Sequence, residues 1–401
     1  MNRINLSRLI LLFGWLLLVE IVTGTAENAT ADPVIVDREV VKISFSELQS
    51  FSEGNNSETC RQEEGNSVDE NGLVERLAQA FGPDGLGFVE VTDIPSEFVE
   101  LRQQIMELAK TLATTLSQDE LDTITLPETM YSIGWSHGKE KLSRSGEYDT
   151  GKGSFYFDPF RKDVNVYPQS LQPKLEDSLQ TMTEFMASVG WMIAKLCDAY
   201  LGNTLVTSSL QTKVNTKARL LYYFPPPPPT TTTASKESSS FDDWCGWHTD
   251  HGSITALVPG HLFGEEEAGT PHNNNNKDGD KSNNKNYKAG LYIQTRKETT
   301  ETVHVKLPTT SLGFQVGETV EIMSGGKLRA TPHAVRGNSP GRGGGGRASL
   351  AVFLQPEANQ ELPPIVSQSS TESRDGDASS LSARWRSTFG EFQLATIQAF
   401  Q

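Results

Sequence analysis

WCGWHTDHGSITAL, residues 244–257, is the stretch whose reading decides the fold. It places His248 and Asp250 two residues apart inside a run of β-type sequence. On a strand, side chains at i and i+2 share a face, so both can reach one metal ion. Downstream, LRATPHAVRG (328–337) supplies His333 at the end of a predicted later strand, and RASLAVF (347–353) supplies Arg347 and Ser349, again two apart. Two imidazoles and one carboxylate on one side of iron(II) leave open positions for a co-substrate and O₂. Arg347 and Ser349 suit the grip of a carboxylate by a forked, charge-assisted contact.

A lone H-x-D is weak evidence, and any one of the seven histidines is more often a satisfied polar residue than a ligand. The weight lies in the set. His251 has the wrong parity for the same face. His261 and His272 flank or occupy a polar loop, His304 sits on another strand, and His137 lies in a loop-like stretch that can approach the pocket from outside. Zinc competes for the same three ligands and would imply hydrolysis. A zinc hydrolase would usually also place a glutamate base beside its ligands, and HTDHG has none. Arg347 and Ser349 would then also have no task.

From Lys217 onward, short apolar segments alternate with Gly, Asn and Pro: ARLLYYF, WCGWHTDHGSITALV, AGLYIQT, ETVHVKL, GETVEIM, KLRATPHAV and RASLAVFL. That texture predicts a sandwich or barrel. Before it, Leu73, Val74, Leu77, Ala80 and Phe81 mark a helix and GLGFVEV a strand. Pro95 opens a second helix. Leu175, Leu179, Met182, Met186, Val189, Ile193 and Leu196 step by four and three, which predicts a long helix with its stripe on the core. The fold class is mainly β with flanking helices, with an α/β N-terminal region.

The N-terminus reads as a secretory signal. Arg3 and Arg8 precede an apolar run from Leu9 to Val19, with small residues (Gly24, Ala26) after it. The expected division is 1–26 signal, 27–70 polar and largely disordered, 71–205 an N-terminal helical and α/β region, and 206–358 the β domain. Low-complexity insertions interrupt that domain at 225–240 and 264–286. A disordered linker (359–380) and a C-terminal helix (381–401) follow. The expected location is the secretory route, with a signal anchor or organelle leader as alternatives and no stable span after cleavage. Asn28 and Asn55 begin sequons. A net charge of −16 argues against nucleic acid. Three cysteines, an odd count, do not make a disulfide scaffold. Cys197 reads as core. Cys245, of opposite parity to His248, is expected to point away from the metal.

HTDHGSITAL, GETVEIMSGGKLRATPHAV and RASLAVFLQP together resemble the iron(II)- and 2-oxoglutarate-dependent oxygenases, in the group similar to isopenicillin N synthase. LVERLAQAFGPDGLGFVEVTDIP resembles that group's leading region. The resemblance covers most of residues 70–356. It implies a distorted double-stranded β-helix, or jelly roll, with Fe(II) on His248, Asp250 and His333. Arg347 and Ser349 would hold the distal carboxylate of 2-oxoglutarate, O₂ would take the last site, and ascorbate would serve as reductant. In RLLYYFPP, Tyr223 or Phe224 matches a family position that helps bind the co-substrate, and Tyr223 is chosen because Phe224 has no hydrogen bond to donate. The glycine-rich stretch 337–346 lengthens the usual spacing between His333 and Arg347. The implied activity is hydroxylation or desaturation of a small organic molecule by a monomer. The alternatives are an oxidase of the same fold that needs no 2-oxoglutarate, a peptidyl hydroxylase, and a catalytically silent binding barrel. Tyr131, Trp135, Phe155, Tyr156, Phe157 and Trp247 are the expected substrate-pocket side chains.

Overall fold

The computed structural model describes residues 35–54, 72–139, 148–225, 244–264, 288–296, 300–337, 345–365 and 380–399. The expected signal, both low-complexity insertions beyond their first residue, most of the linker and the stretch 338–344 lie outside the described residues.

Within 27–70, expected to be largely disordered, residues 35–54 fold. Strands β1 (Ile35–Val36) and β2 (Val41–Ser44) lead into helix α1 (Phe45–Gly54). Ile43 and Leu48 are fully buried, and Lys195 Nζ donates to Ser52 O at 3.1 Å. The polar average hid a strand and a helix that each bury one or two residues.

Helix α2 (Leu73–Phe81), strand β3 (Phe88–Thr92) and helix α3 (Ser96–Thr114) follow the expected pattern. Pro95 caps α3 with φ −54°, a value its ring already holds. A short helix α4 (Gln118–Thr123) and strands β4 (Gly134–His137) and β5 (Lys152–Phe157) come next. Helix α5 (Lys174–Leu201) has all seven residues of its predicted stripe at 0 % exposure, so that face is core. It packs on α1, α2, α3 and the β domain. Helix α6 (Leu205–Ser209) leads to β6 (Lys217–Tyr223), β7 (Cys245–His248), β8 (Ile254–Leu257), β9 (His261–Leu262), β10 (Gly290–Gln294), β11 (Thr302–Val305) and β12 (Leu312–Val316). Helix α7 (Glu318–Met323), strands β13 (His333–Arg336) and β14 (Arg347–Leu354), and helices α8 (Leu381–Arg384) and α9 (Phe389–Ala399) complete the chain.

The strands form two facing sheets. One runs β2-β3-β12-β8-β14-β6-β5-β4, with β9 also on β14, and the other runs β1-β11-β10-β13-β7. The strand order jumps along the sequence, and every pair within the β6–β14 region is antiparallel. This is a distorted double-stranded β-helix, with the helices layered on the outer face of the larger sheet. Its inner faces enclose the site.

Three local expectations are corrected. GETVEIM is not a strand but helix α7 itself, with Gly317 as its N-cap. The backbone N–H groups of Gly317, Glu318 and Thr319 are taken by Ser253 O, Asp250 O and Gly252 O, which folds this segment onto the turn after β7. A Cβ on Gly317 would overlap Gly252 O, so only glycine permits that approach. The expected C-terminal helix is two helices. Residues 385–388 are non-helical between them, where Thr388 bridges Glu361 and Trp385 Nε1 donates to Pro363 O. His333 opens its strand rather than ending one, because Pro332 cannot join the ladder as a donor.

Candidate metal centre

Strand β7 ends at His248, so Asp250 lies in the following turn rather than on the strand. The two still meet. His333 pairs directly opposite His248, and the imidazole centroids are 4.1 Å apart. Each Nε2 is 3.9 Å from Asp250 Oδ1, and one ligand atom from each residue falls within 4.8 Å of the others. Among the described residues this is the group of His, Cys, Asp and Glu side chains so arranged.

The hydrogen bonds around the triad aim it. His248 Nδ1 donates to Gly246 O at 2.7 Å, and His333 Nδ1 faces Thr331 O at 3.3 Å. A carbonyl only accepts, so the proton sits on Nδ1 and Nε2 presents its lone pair to the common centre. Thr255 Oγ1 donates to Asp250 Oδ2 at 2.6 Å and leaves Oδ1 toward the histidines. Burial lowers the pKa of both imidazoles, that of His333 to about 4 with help from the neighbouring His248 charge. Burial opposes ionisation of Asp250, but the two histidines and Thr255 outweigh it and hold its pKa down. Neutral imidazoles beside an ionised carboxylate are the state a divalent ion needs.

A pH prediction follows for the metal-free protein. The imidazoles have folded pKa values below the ordinary 6.5, so their contribution to stability is present above that value. It is lost as pH falls toward the folded value of His333, about 4. Asp250, also lowered, acts with the same sign but only below its ordinary 3.8, outside the histidine window. Thermal melts of apoprotein should therefore drop between roughly pH 6.5 and 4, and bound metal should blunt the drop. A midpoint flat across that range would contradict the assignment of these side chains as buried and neutral.

The triad opens on a cavity of about 270 Å³. Arg347, Ser349 and Tyr223 line the same cavity, Arg347 and Ser349 from β14 and Tyr223 opposite Arg347 on β6. The Arg347 guanidinium lies 5.5 Å from the Tyr223 ring centroid. Its Nη1 is buried with no hydrogen-bond partner, and burial lowers its pKa. An unpaired buried guanidinium N–H is costly, and a bound carboxylate is the natural relief. Gly260 makes room for it, since a Cβ there would overlap the guanidinium. Arg102 fixes that turn by donating to Pro259 O at 2.7 Å and Gly260 O at 3.1 Å. Gly260→Ala should weaken binding of a dicarboxylate about tenfold or more, roughly 1.4 kcal/mol, with the melting temperature little changed. Calorimetric titration with 2-oxoglutarate checks this, and wild-type affinity in the variant would contradict it.

The aromatic pocket expectation fails. Trp135, Phe155 and Phe157 are buried in the main core beneath the helices, and Tyr131, Tyr156 and Trp247 do not line the cavity. On β5 the odd positions face the helix layer, so Phe155 and Phe157 are packing residues. The walls are instead Leu257, Leu291, Val305, Leu307 and Phe353, with Arg219 and Gln315 as polar members. Arg219 is buried, and its Nε and Nη2 lie 3.0 and 2.8 Å from Ser154 Oγ. It was legible, since it precedes Tyr223 by four on one strand. His137 is exposed and bonds to Thr150 O at 3.1 Å, away from the cavity.

Cys245 is also corrected: it lines the cavity, with Sγ 3.6 Å from His248 Nδ1. The cause is a bulge. His333 to Val335 spans two residues, while their partners His248 and Cys245 are three apart. The extra residue reverses parity and puts both on one face.

No protein-family model and no curated protein matches the chain. Solved structures do. A full-length Neurospora crassa protein, solved in complex with alpha-KG and 5-formyluracil, is similar at TM-score 0.58 and 14 % identity, over 92 % of this chain and 99 % of that one. A 2OG-Fe(II) oxygenase family protein of Caulobacter crescentus is similar at TM-score 0.53 and 18 % identity, over 81 % and 89 %. JOX2, in complex with 2OG, Fe and JA, is similar at TM-score 0.53 and 15 % identity, over 92 % and 88 %. The chain has the fold of the iron(II)/2-oxoglutarate oxygenases.

Proposed function

We propose that the chain is an iron(II)-dependent oxygenase of the isopenicillin N synthase-like group, coupling oxidative decarboxylation of 2-oxoglutarate to hydroxylation or desaturation of a small organic substrate. One observation carries this reading. A facial set of His248, Asp250 and His333 shares a cavity with Arg347, whose buried Nη1 lacks a partner.

His248, Asp250 and His333 would hold the iron, which when bound supplies O₂ activation next to the co-substrate. Arg347 takes the distal carboxylate of 2-oxoglutarate by its fork, Ser349 adds a hydroxyl, and Tyr223 packs under the guanidinium. Leu257, Leu291, Val305 and Leu307 give the rest of the cavity an apolar wall that excludes water and suits a substrate presenting C–H bonds. The proposed working unit is a monomer. Ascorbate is the expected reductant.

Succinate formation from 2-oxoglutarate should require both Fe(II) and O₂ and vanish in His248→Ala. Equal succinate from that variant would overturn the reading. We further propose that the chain enters the secretory route. Among the described residues no helix is long and apolar enough to cross a membrane. Entry is tested by a mobility shift on deglycosylation, lost in the Asn28→Gln/Asn55→Gln double variant. An unglycosylated protein in the cytosolic fraction would contradict entry.

A further inference from the structure

We propose that Arg384, far along the chain on α8, is a positioning residue of the metal centre, acting through Glu318 and Thr249. The inference rests on reading His248, Asp250 and His333 as metal ligands.

The turn 248–251 sends its side chains two ways. His248 and Asp250 face the cavity, while on the other side Thr249 is held by Glu318 of α7 and His251 by Gln393 of α9. Thr249 Oγ1 donates to Glu318 Oε1 at 2.6 Å. Arg384 Nη2 donates to Glu318 Oε1 at 2.7 Å, and its Nη1 donates to Glu318 Oε2 at 2.8 Å and to Thr396 Oγ1 at 2.9 Å. The Glu318 backbone N–H holds Asp250 O at 2.8 Å, so one residue touches the ligand turn twice. Beside it, Gln393 Nε2 lies 2.9 Å from His251 Nε2 and donates to Gln355 Oε1 at 3.2 Å. Thr249, His251, Glu318, Arg384, Gln393 and Thr396 are all buried.

A buried carboxylate keeps one orientation only while its counter-charge is fixed. The Arg384 fork supplies that, and lysine cannot reproduce its two parallel contacts. Without Arg384, Glu318 loses its paired geometry, Thr249 loses a fixed acceptor, and the spacing of His248 to Asp250 loosens. Partners bonded directly to a metal's ligands change affinity about 10–100-fold when removed; Arg384 acts one contact further out, through Glu318, so its effect belongs at the low end of that range.

The test is Mn(II) binding by the full-length apoprotein, read from the electron paramagnetic resonance signal of free Mn(II). Arg384→Ala should bind about tenfold more weakly, the low end of what loss of a direct ligand partner causes. Millimolar methylguanidinium should restore part of the loss, and Arg384→Lys should stay weaker than wild type. Arg76→Ala, which breaks the partly exposed Arg76–Glu47 pair (2.7 Å), should bind as wild type does and serves as the stability control. If Arg384→Ala does not fold, Thr249→Val carries the test, since it cuts the link to Glu318 and keeps the ion pair; several-fold weaker binding is expected. Wild-type affinity in folded Arg384→Ala, or failing that in Thr249→Val, overturns the inference alone. A wild-type protein that binds no Mn(II) overturns the metal reading and the inference with it.

Discussion

Asp250→Ala is expected to abolish turnover while the fold survives. Asp250 is the one anionic member of the triad, and its Oδ1 is 3.9 Å from both Nε2 atoms. Its loss leaves two neutral imidazoles, which cannot complete a facial site for a divalent ion. The structural cost is bounded. Thr255 Oγ1 loses its acceptor, worth about 1–3 kcal/mol for a buried hydroxyl, and the turn keeps its backbone bonds to α7. Circular dichroism should therefore match wild type, with Fe(II) binding and succinate formation both at background. Turnover by a folded Asp250→Ala protein would refute the metal assignment.

Arg347→Ala raises the 2-oxoglutarate requirement sharply. Truncating one partner of a buried, hydrogen-bonded charge pair costs about 2–5 kcal/mol, or on the order of thirtyfold to several thousandfold in affinity. Arg347→Lys should recover only part, because an ammonium offers no planar fork. The effect belongs in the half-saturating 2-oxoglutarate concentration, with Fe(II) affinity unchanged, since Arg347 is not among the three ligand residues. An unchanged 2-oxoglutarate requirement would contradict the role of Arg347 as the carboxylate partner.

The parts legible in the sequence were those where residue type and period agree. The α5 stripe needed only helical periodicity, and every member is buried. The H-x-D spacing and a later histidine marked the triad, although the strand logic held only for His248, since Asp250 lies in the turn after β7. Harder was anything decided by what lies opposite. Alternation in GSFYF shows that Phe155 and Phe157 share a face but not which face is inner, and they proved to be core. Cys245 depends on a bulge set by its partner strand β13. GETVEIM alternates well enough for a strand, yet carbonyls of the ligand turn fold it into α7. Arg384 and Glu318 are ordinary surface residue types in sequence, and only tertiary contact buries them as a pair. The folded stretch 35–54 was hidden by its polar surroundings.

The most direct test of the central claim is anaerobic titration of purified apoprotein with Fe(II) and 2-oxoglutarate, watching for the weak visible charge-transfer band of a metal-chelated keto acid. The account predicts the band in wild type and its loss in His333→Ala. Fe(II) binding without a band, or a band of equal strength in His333→Ala, would contradict it.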